Sequence, residues 1–214
     1  MLVSMVALGS ESLLDSDSPE WGKVQGKRIR LAHTPLDRQP SDYVKLVGET
    51  WDYGKTEQLW VKSVHNGKEI FFLLEWEDWS HPGVEDDFPD GAGLLFPLKA
   101  EAPIETMGSK EQQVNAWYWR EDADRGMSFT AEGLGTTVQT PNSRTNSHIL
   151  ARARWKDGRW RLVMGRPLTV QDTAVQFEAG GIYKVGFAVW QGANRERAGF
   201  KSYSNSWLGL ELEG

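Results

Sequence analysis

An all-β chain, folded mainly as an antiparallel β-sandwich with a few short helices in its loops, is what this sequence predicts. Three observations predict it. Two pairs of strand-like runs flank Asn66-Gly67 and Asp157-Gly158, dipeptides whose residues tolerate the positive φ of tight hairpin turns. Further runs rich in aromatic and branched residues are separated by loops of Gly, Asp, Asn and Pro. No segment carries the apolar repeat of an amphipathic helix three turns long.

The elements follow in chain order. "SDYVKLVGETW" (41–51) is a candidate short helix. "QLWVKSV" (58–64) and "EIFFLLEW" (69–76) form the first hairpin across "HNGK". "GAGLLFPL" (91–98), "VNAWYWR" (114–120) and "MSFTAEG" (127–133) are strands. "HILARARW" (148–155) and "WRLVMGRPL" (160–168) form the second hairpin across "KDGR". In its first arm Ile149, Ala151, Ala153 and Trp155 alternate with Arg152 and Arg154, the period of a strand with one wet face. "YKVGFAVWQ" (183–191) and "WLGLELE" (207–213) complete the set. There is no internal repeat, low-complexity tract or linker, and 214 residues suit a single domain spanning 1–214.

Composition narrows function. The net charge of −6 comes without a basic block, so nucleic acid is not an expected partner. The chain has no cysteine, which excludes disulfides, thiolate-held iron–sulfur clusters and haem attached through C-x-x-C-H. No run approaches the ~18 apolar residues of a membrane span. The start, "MLVSMVALGSESLL", lacks the basic lead and longer apolar core of a secretory signal. Eleven tryptophans supply either core volume or flat walls for a planar ligand.

Local motifs offer little chemistry. His33, His65, His81 and His148 show no metal spacing; His65 and His81 read as turn or surface residues. The acidic stretch Val84 to Asp90 reads as a solvated loop. Glu75 and Glu77 share a strand face, an arrangement a glycosidase uses but one that is usually structural. Met107, beside Gly108 before an aromatic strand, reads alone as a filler of core gaps. Lys201, in "RAGFKSYSNSW" (197–207), reads alone as a lysine reaching for water.

Three longer blocks change that reading. "FPDGAGLLFP" (88–97), "TMGSKEQQVNAWYW" (106–119) and "FAVWQGANRERAGFKSYS" (187–204) resemble the haem b-binding γ subunit of ethylbenzene dehydrogenase. The same family includes γ subunits of dimethylsulfide dehydrogenase, chlorate reductase and selenate reductase. The likeness runs from "LLDSDSPEW" (13–21) across nearly the whole chain, and "VNAWYW" and "KSYS" draw it towards the hydrocarbon- or steroid-oxidising branch. Gln113 departs from the proline expected before "VN".

The resemblance implies a β-sandwich holding one non-covalent haem b, with Met107 and Lys201 at the positions of the axial iron ligands. It implies a non-catalytic electron-transfer subunit of a heterotrimer. A catalytic α subunit would carry the molybdenum cofactor, and a β subunit the iron–sulfur clusters that feed this haem. An external acceptor such as a soluble cytochrome c would take the electrons. The complex would be periplasmic, this chain being exported with a signal-bearing partner.

The chemistry is consistent with that expectation. A thioether favours ferrous iron and raises the potential. A lysine amine binds iron only when deprotonated, which burial promotes. Phe200, Tyr203 and Trp207 are candidates to keep water from Lys201, and Phe96, Trp117, Trp119 and Tyr203 are candidates for the pocket wall; alternation places Trp117 and Trp119 on one face without saying which. Met127, Met164 and His148 are the fallback ligands. Two filled axial positions leave the iron no site for substrate, so the haem would serve electron transfer and the substrate chemistry would take place in another polypeptide. The rival readings are a carbohydrate-binding β-sandwich without haem, resting on the tryptophans, and a glycosidase using its acidic pairs.

Overall fold

A computed structural model describes residues 1–39, 41–80, 88–99, 102–139 and 149–214. Among the described residues, eleven of fourteen strands form one hydrogen-bonded path folded into two facing layers, and three more pair beside it. The first layer orders β10 (Leu150–Lys156), β11 (Arg159–Pro167), β5 (Glu69–Glu77) and β4 (Gln58–His65), with β2 (Lys27–Arg30) on β4. The second orders β14 (Leu208–Leu212), β12 (Ile182–Trp190), β6 (Gly91–Pro97), β7 (Val114–Arg120), β8 (Met127–Ala131) and β9 (Val138–Gln139). β13 (Ser202–Tyr203) joins β12 to β3 (Ala32–His33).

Both predicted hairpins are present. β10 and β11 pair antiparallel through Lys156↔Arg159, and Asp157 and Gly158 both take positive φ, 52° and 75°, as a mirror-image turn demands. β4 and β5 pair through His65↔Ile70, with Gly67 at φ 81°. Within the second hairpin the first arm runs 150–156; the expected start at His148 lies outside the described residues, as does His81.

The short strands β2, β3, β9 and β13 were not foreseen, nor was the first strand of the chain. β1 (Leu2–Met5) runs parallel to both β14, through Leu2↔Glu211, and β4, through Met5↔His65. It is the seam between the layers. Its four residues, LVSM, give too short a run to read as a strand.

The inner faces meet in one core. Leu59, Val61, Ile70, Phe72, Leu74 and Trp76 from the first layer pack on Leu94, Phe96, Trp117, Trp119, Phe187 and Val189 from the second. Burying each such side chain stabilises by roughly 1.5–3 kcal/mol. Arg166 is buried among them, its guanidinium over the rings of Trp117 (5.1 Å) and Phe177 (5.3 Å). It donates to the carbonyls of Pro167 and Val175.

The outer face of the first layer is covered by α1 (Ser10–Leu14) and α2 (Pro19–Lys23), whose Leu13, Leu14 and Trp21 sit on Phe71, Leu73 and Val163. The helix expected over 41–51 is shorter: α3 (Asp42–Gly48), capped by Ser41 accepting from Val44 N at 3.3 Å. Among the described residues no helix is long and apolar enough to cross a membrane.

Two sequence-based expectations are corrected here. His65 is not a surface or turn residue; it ends β4 fully buried, with no partner for either ring nitrogen among the described residues. Asp90, in the stretch read as a solvated loop, is only 3% exposed; residues 84–87 of that stretch lie outside the described residues. Glu75 and Glu77 do share a face, but they pair across the ladder with Arg161 (2.9 Å) and Arg159 (3.0 Å) on β11.

Candidate functional site

The outer face of the second layer is not covered like that of the first. It is the floor of a cavity of about 380 Å³. The floor follows from strand register. Ala188, Gly93 and Tyr118 lie side by side across β12, β6 and β7. One step along, Gly186, Leu95, Ala116 and Phe129 lie side by side across β12, β6, β7 and β8. Each alternates with a core residue, since successive side chains point to opposite faces. Glycine and alanine in the middle strands keep this floor flat.

Three loops and one edge segment wall the cavity; the loop between β8 and β9 contributes Leu134, Gly135 and Thr137. The first loop carries Ile104, Glu105 and Met107. Met107 and Gly108 both take positive φ, 56° and 87°, costly for a side chain with a Cβ. The loop is held by its own bonds, Met107 N to Ile104 O (3.1 Å) and Gly108 N to Pro103 O (2.8 Å), and by Trp207 Nε1 to Ala102 O (2.9 Å). Met107 packs at the edge of a small cluster of Ala102, Val114 and Ala131 and also faces the cavity.

The second loop, 191–201, carries Lys201. Buried Glu196 fixes it: its carboxylate accepts from Gly54 N (2.7 Å), Asn194 Nδ2 (2.9 Å) and Gln191 N (3.0 Å). Phe200 packs on Trp51 and Tyr53 at 4.8 and 4.7 Å. Gly199 O accepts from Thr34 Oγ1 (2.5 Å) and Gln39 Nε2 (3.1 Å) in the edge segment. A Cβ on Gly199 would stand 2.0 Å from Gln39 Oε1, so a larger residue there displaces the Gln39 side chain that grips this loop.

Lys201 is the unusual group in this wall. Its Nζ donates to Ala198 O at 3.2 Å and lies 5.3 Å from the centre of the Trp190 ring. Among the described residues no carboxylate pairs with it. Burial alone pushes its ammonium down to about 8, so about a tenth is neutral at pH 7. Trp190 Nε1 donates to the same Ala198 O, at 3.1 Å, and Ala198 holds positive φ, 51°.

The structure therefore brings Met107, Lys201, Tyr203 and Trp117 to one cavity. Trp117 is a wall member from below, its ring buried in the inter-sheet core. Phe96 is not in the wall; it shares the inner face of β6 with Ala92 and Leu94 and packs on Phe72, Trp117 and Phe177. Trp119 likewise faces the core, against Trp160. Of the residues expected to shield Lys201, Phe200 turns to Trp51 and Trp207 to Ala102, while Trp190 faces the amine. Trp190 was missed, although it alternates with buried Val189 and so had to lie on the outer face.

This wall offers a soft sulfur and a desolvated amine over a broad apolar floor. That donor set fits a planar apolar disc with a metal at its centre better than a bare ion, which wants several oxygen or imidazole ligands. Among the described residues no group of three or more His, Asp or Glu is placed to hold a bare metal ion.

The ethylbenzene dehydrogenase family model matches residues 18–139 and 128–202. The chain belongs to that family. It is 33% identical over 206 residues to the chlorate reductase subunit gamma of Ideonella dechloratans, covering 92% of this chain and 80% of that one. It is 30% identical over 200 residues to the dimethylsulfide dehydrogenase subunit gamma of Rhodovulum sulfidophilum, covering 91% and 73%. A protein of Haloferax mediterranei with the name "Putative respiratory nitrate reductase heme subunit ORF7" is 29% identical over 205 residues, covering 91% and 69%. Among solved structures, a family 9 carbohydrate binding module from Caldicellulosiruptor kristjanssonii in complex with glucose superposes with a TM-score of 0.56 at 10% identity, covering 100% of this chain and 95% of that one. At that identity the likeness is one of fold, and it agrees with the sandwich.

Proposed function

We propose that this chain is the electron-transfer γ subunit of a molybdenum-dependent oxidoreductase and that it holds one non-covalent haem b, with Met107 and Lys201 as axial ligands. The observation that carries the reading is convergence. A methionine and a lysine from loops far apart in sequence line one apolar cavity, in a family whose relatives are named as gamma and heme subunits. The bound haem would supply a one-electron relay.

The chain's own residues do the rest. The Gly93, Ala116 and Ala188 floor admits a flat ring. The positive-φ turn at Met107 and Gly108 sets the thioether against the cavity. The desolvated wall around Lys201 lowers the cost of presenting a neutral amine. Electrons would pass between an iron–sulfur partner subunit and an external acceptor such as a cytochrome c, in a periplasmic complex co-exported with a signal-bearing catalytic subunit.

The test is the ultraviolet–visible spectrum of the purified protein with a pyridine haemochrome assay, repeated on two variants. Wild type shows a Soret band and one haem b per chain. Lys201→Ala loses haem or changes its spectrum, and Met107→Ala lowers the potential and opens the iron to carbon monoxide. A colourless wild type, or two variants with wild-type spectrum and potential, overturns the proposal.

A further inference from the structure

Among the described residues the cavity wall holds three charged side chains: Lys201, Arg38 and Glu105. Lys201 is assigned above. Arg38 ends the short turn Leu36–Arg38 in the edge segment, next to Gln39, which grips the Lys201 loop at Gly199 O. Glu105 stands two residues before Met107. The two charges thus sit beside the two ligand loops. They meet loosely, Arg38 Nη2 to Glu105 Oε2 at 3.9 Å, with both side chains about half exposed.

Arg38 is under-used. Its other ionic neighbour, Asp37 Oδ2, is also 3.9 Å away. Among the described residues its guanidinium makes no hydrogen bond. A planar fork of five N–H donors therefore stands free at the rim of an otherwise apolar cavity.

We infer that Arg38 is the anchor for the carboxylate side chains of the tetrapyrrole, and that Glu105 is the resting partner those carboxylates displace. The inference rests on the haem reading and deepens it. An apolar ring with two carboxylates at one edge matches a flat apolar floor with a free guanidinium at its rim. A carboxylate takes the fork through two parallel bonds, which no neutral edge substituent reproduces. The site then has an end: the ring enters with its acidic edge towards Arg38, and its orientation between Met107 and Lys201 is set.

The experiment titrates the apo form of the full chain with iron protoporphyrin IX and with its dimethyl ester, following the Soret band. Wild type binds the free acid more tightly than the ester. Arg38→Met weakens free-acid binding by about three- to tenfold, the range for a half-exposed charged pair, and leaves ester binding unchanged. Arg38→Lys, which keeps the charge and loses the fork, falls between. Glu105→Gln, which removes the competing carboxylate, tightens the free acid and not the ester. Added salt weakens only free-acid binding to wild type. Equal weakening of both porphyrins by Arg38→Met, or a Glu105→Gln variant and a salt series that treat both alike, overturns the anchor. The wild-type salt series and Glu105→Gln do not need a folded Arg38→Met. A wild type that takes up neither porphyrin refutes the haem reading itself, so the two failures are distinct.

Discussion

Raising the pH from 5 to 7.5 destabilises this protein through Asp90. The side chain is 3% exposed, its Oδ1 accepting from Gly192 N at 2.7 Å and its Oδ2 from Trp160 Nε1 at 2.9 Å. Burial, then the nearby Asp78 carboxylate, raise its pKa to about 7, against the lowering pull of those two donors. In the unfolded chain the group titrates near 3.9. Between those values the folded chain keeps a proton that the unfolded chain has lost. Stability therefore falls as pH rises, by up to ~1.4 kcal/mol per pH unit, and levels off above about 7. Integrated from pH 5 to 7.5 the loss is at most ~2.5 kcal/mol. The assay is urea unfolding followed by tryptophan fluorescence at pH 5, 6, 7 and 7.5, on wild type and Asp90→Asn. The variant should lose ~1 kcal/mol at pH 5, where its amide opposes one of the two donors, and should lack the wild-type decline. Parallel pH profiles for the two proteins would refute the reasoning, as would wild-type stability that rises over this range.

Three further outcomes follow from the packing. Ala188→Leu projects a side chain over Gly93 into the cavity, so haem content should fall about tenfold or more while the melting temperature holds; full haem content would place the ring elsewhere. Trp190→Phe keeps an aromatic face and deletes one of the two donors to Ala198 O, so haem transfer to apomyoglobin should accelerate several-fold while urea stability drops by ~1 kcal/mol; an unchanged transfer rate would remove Trp190 from the positioning of Lys201. Gly165→Ala sets a Cβ 2.2 Å from Phe71 Cδ1 and 2.9 Å from Ile70 O, so it should cost about 1–3 kcal/mol, a fall of several degrees in Tm.

The strands were legible where one residue in two answers to one face. "VNAWYWR" is β7 to the residue, and the Asn-Gly and Asp-Gly turns sit where their φ preferences put them. The short partners β1, β2, β3 and β13 were not, because two to four residues carry no period and are strands only through their neighbours. The site was half legible. Met107 and Lys201 were picked out by resemblance, but each alone has an ordinary reading, and only the stacking of loops over the second layer brings them together. The pocket aromatics were harder. Both faces of β6 and β7 are apolar, one for the core and one for the cavity floor, so alternation could not say that Phe96 and Trp119 look inward while Tyr118 looks out. The burial of His65 and Asp90 depends on what packs from elsewhere, which no local pattern records.

The seam strand has a kinetic consequence. β1 pairs with β14 through Leu2↔Glu211, so two segments far apart in the sequence must meet to join the layers. Each layer can form hairpins as it emerges, but zipping one to the other must wait until both β1 and β14 are present. Until then the facing tryptophan-rich surfaces have no permanent cover, and that interval is when the newborn chain most needs either speed or a companion.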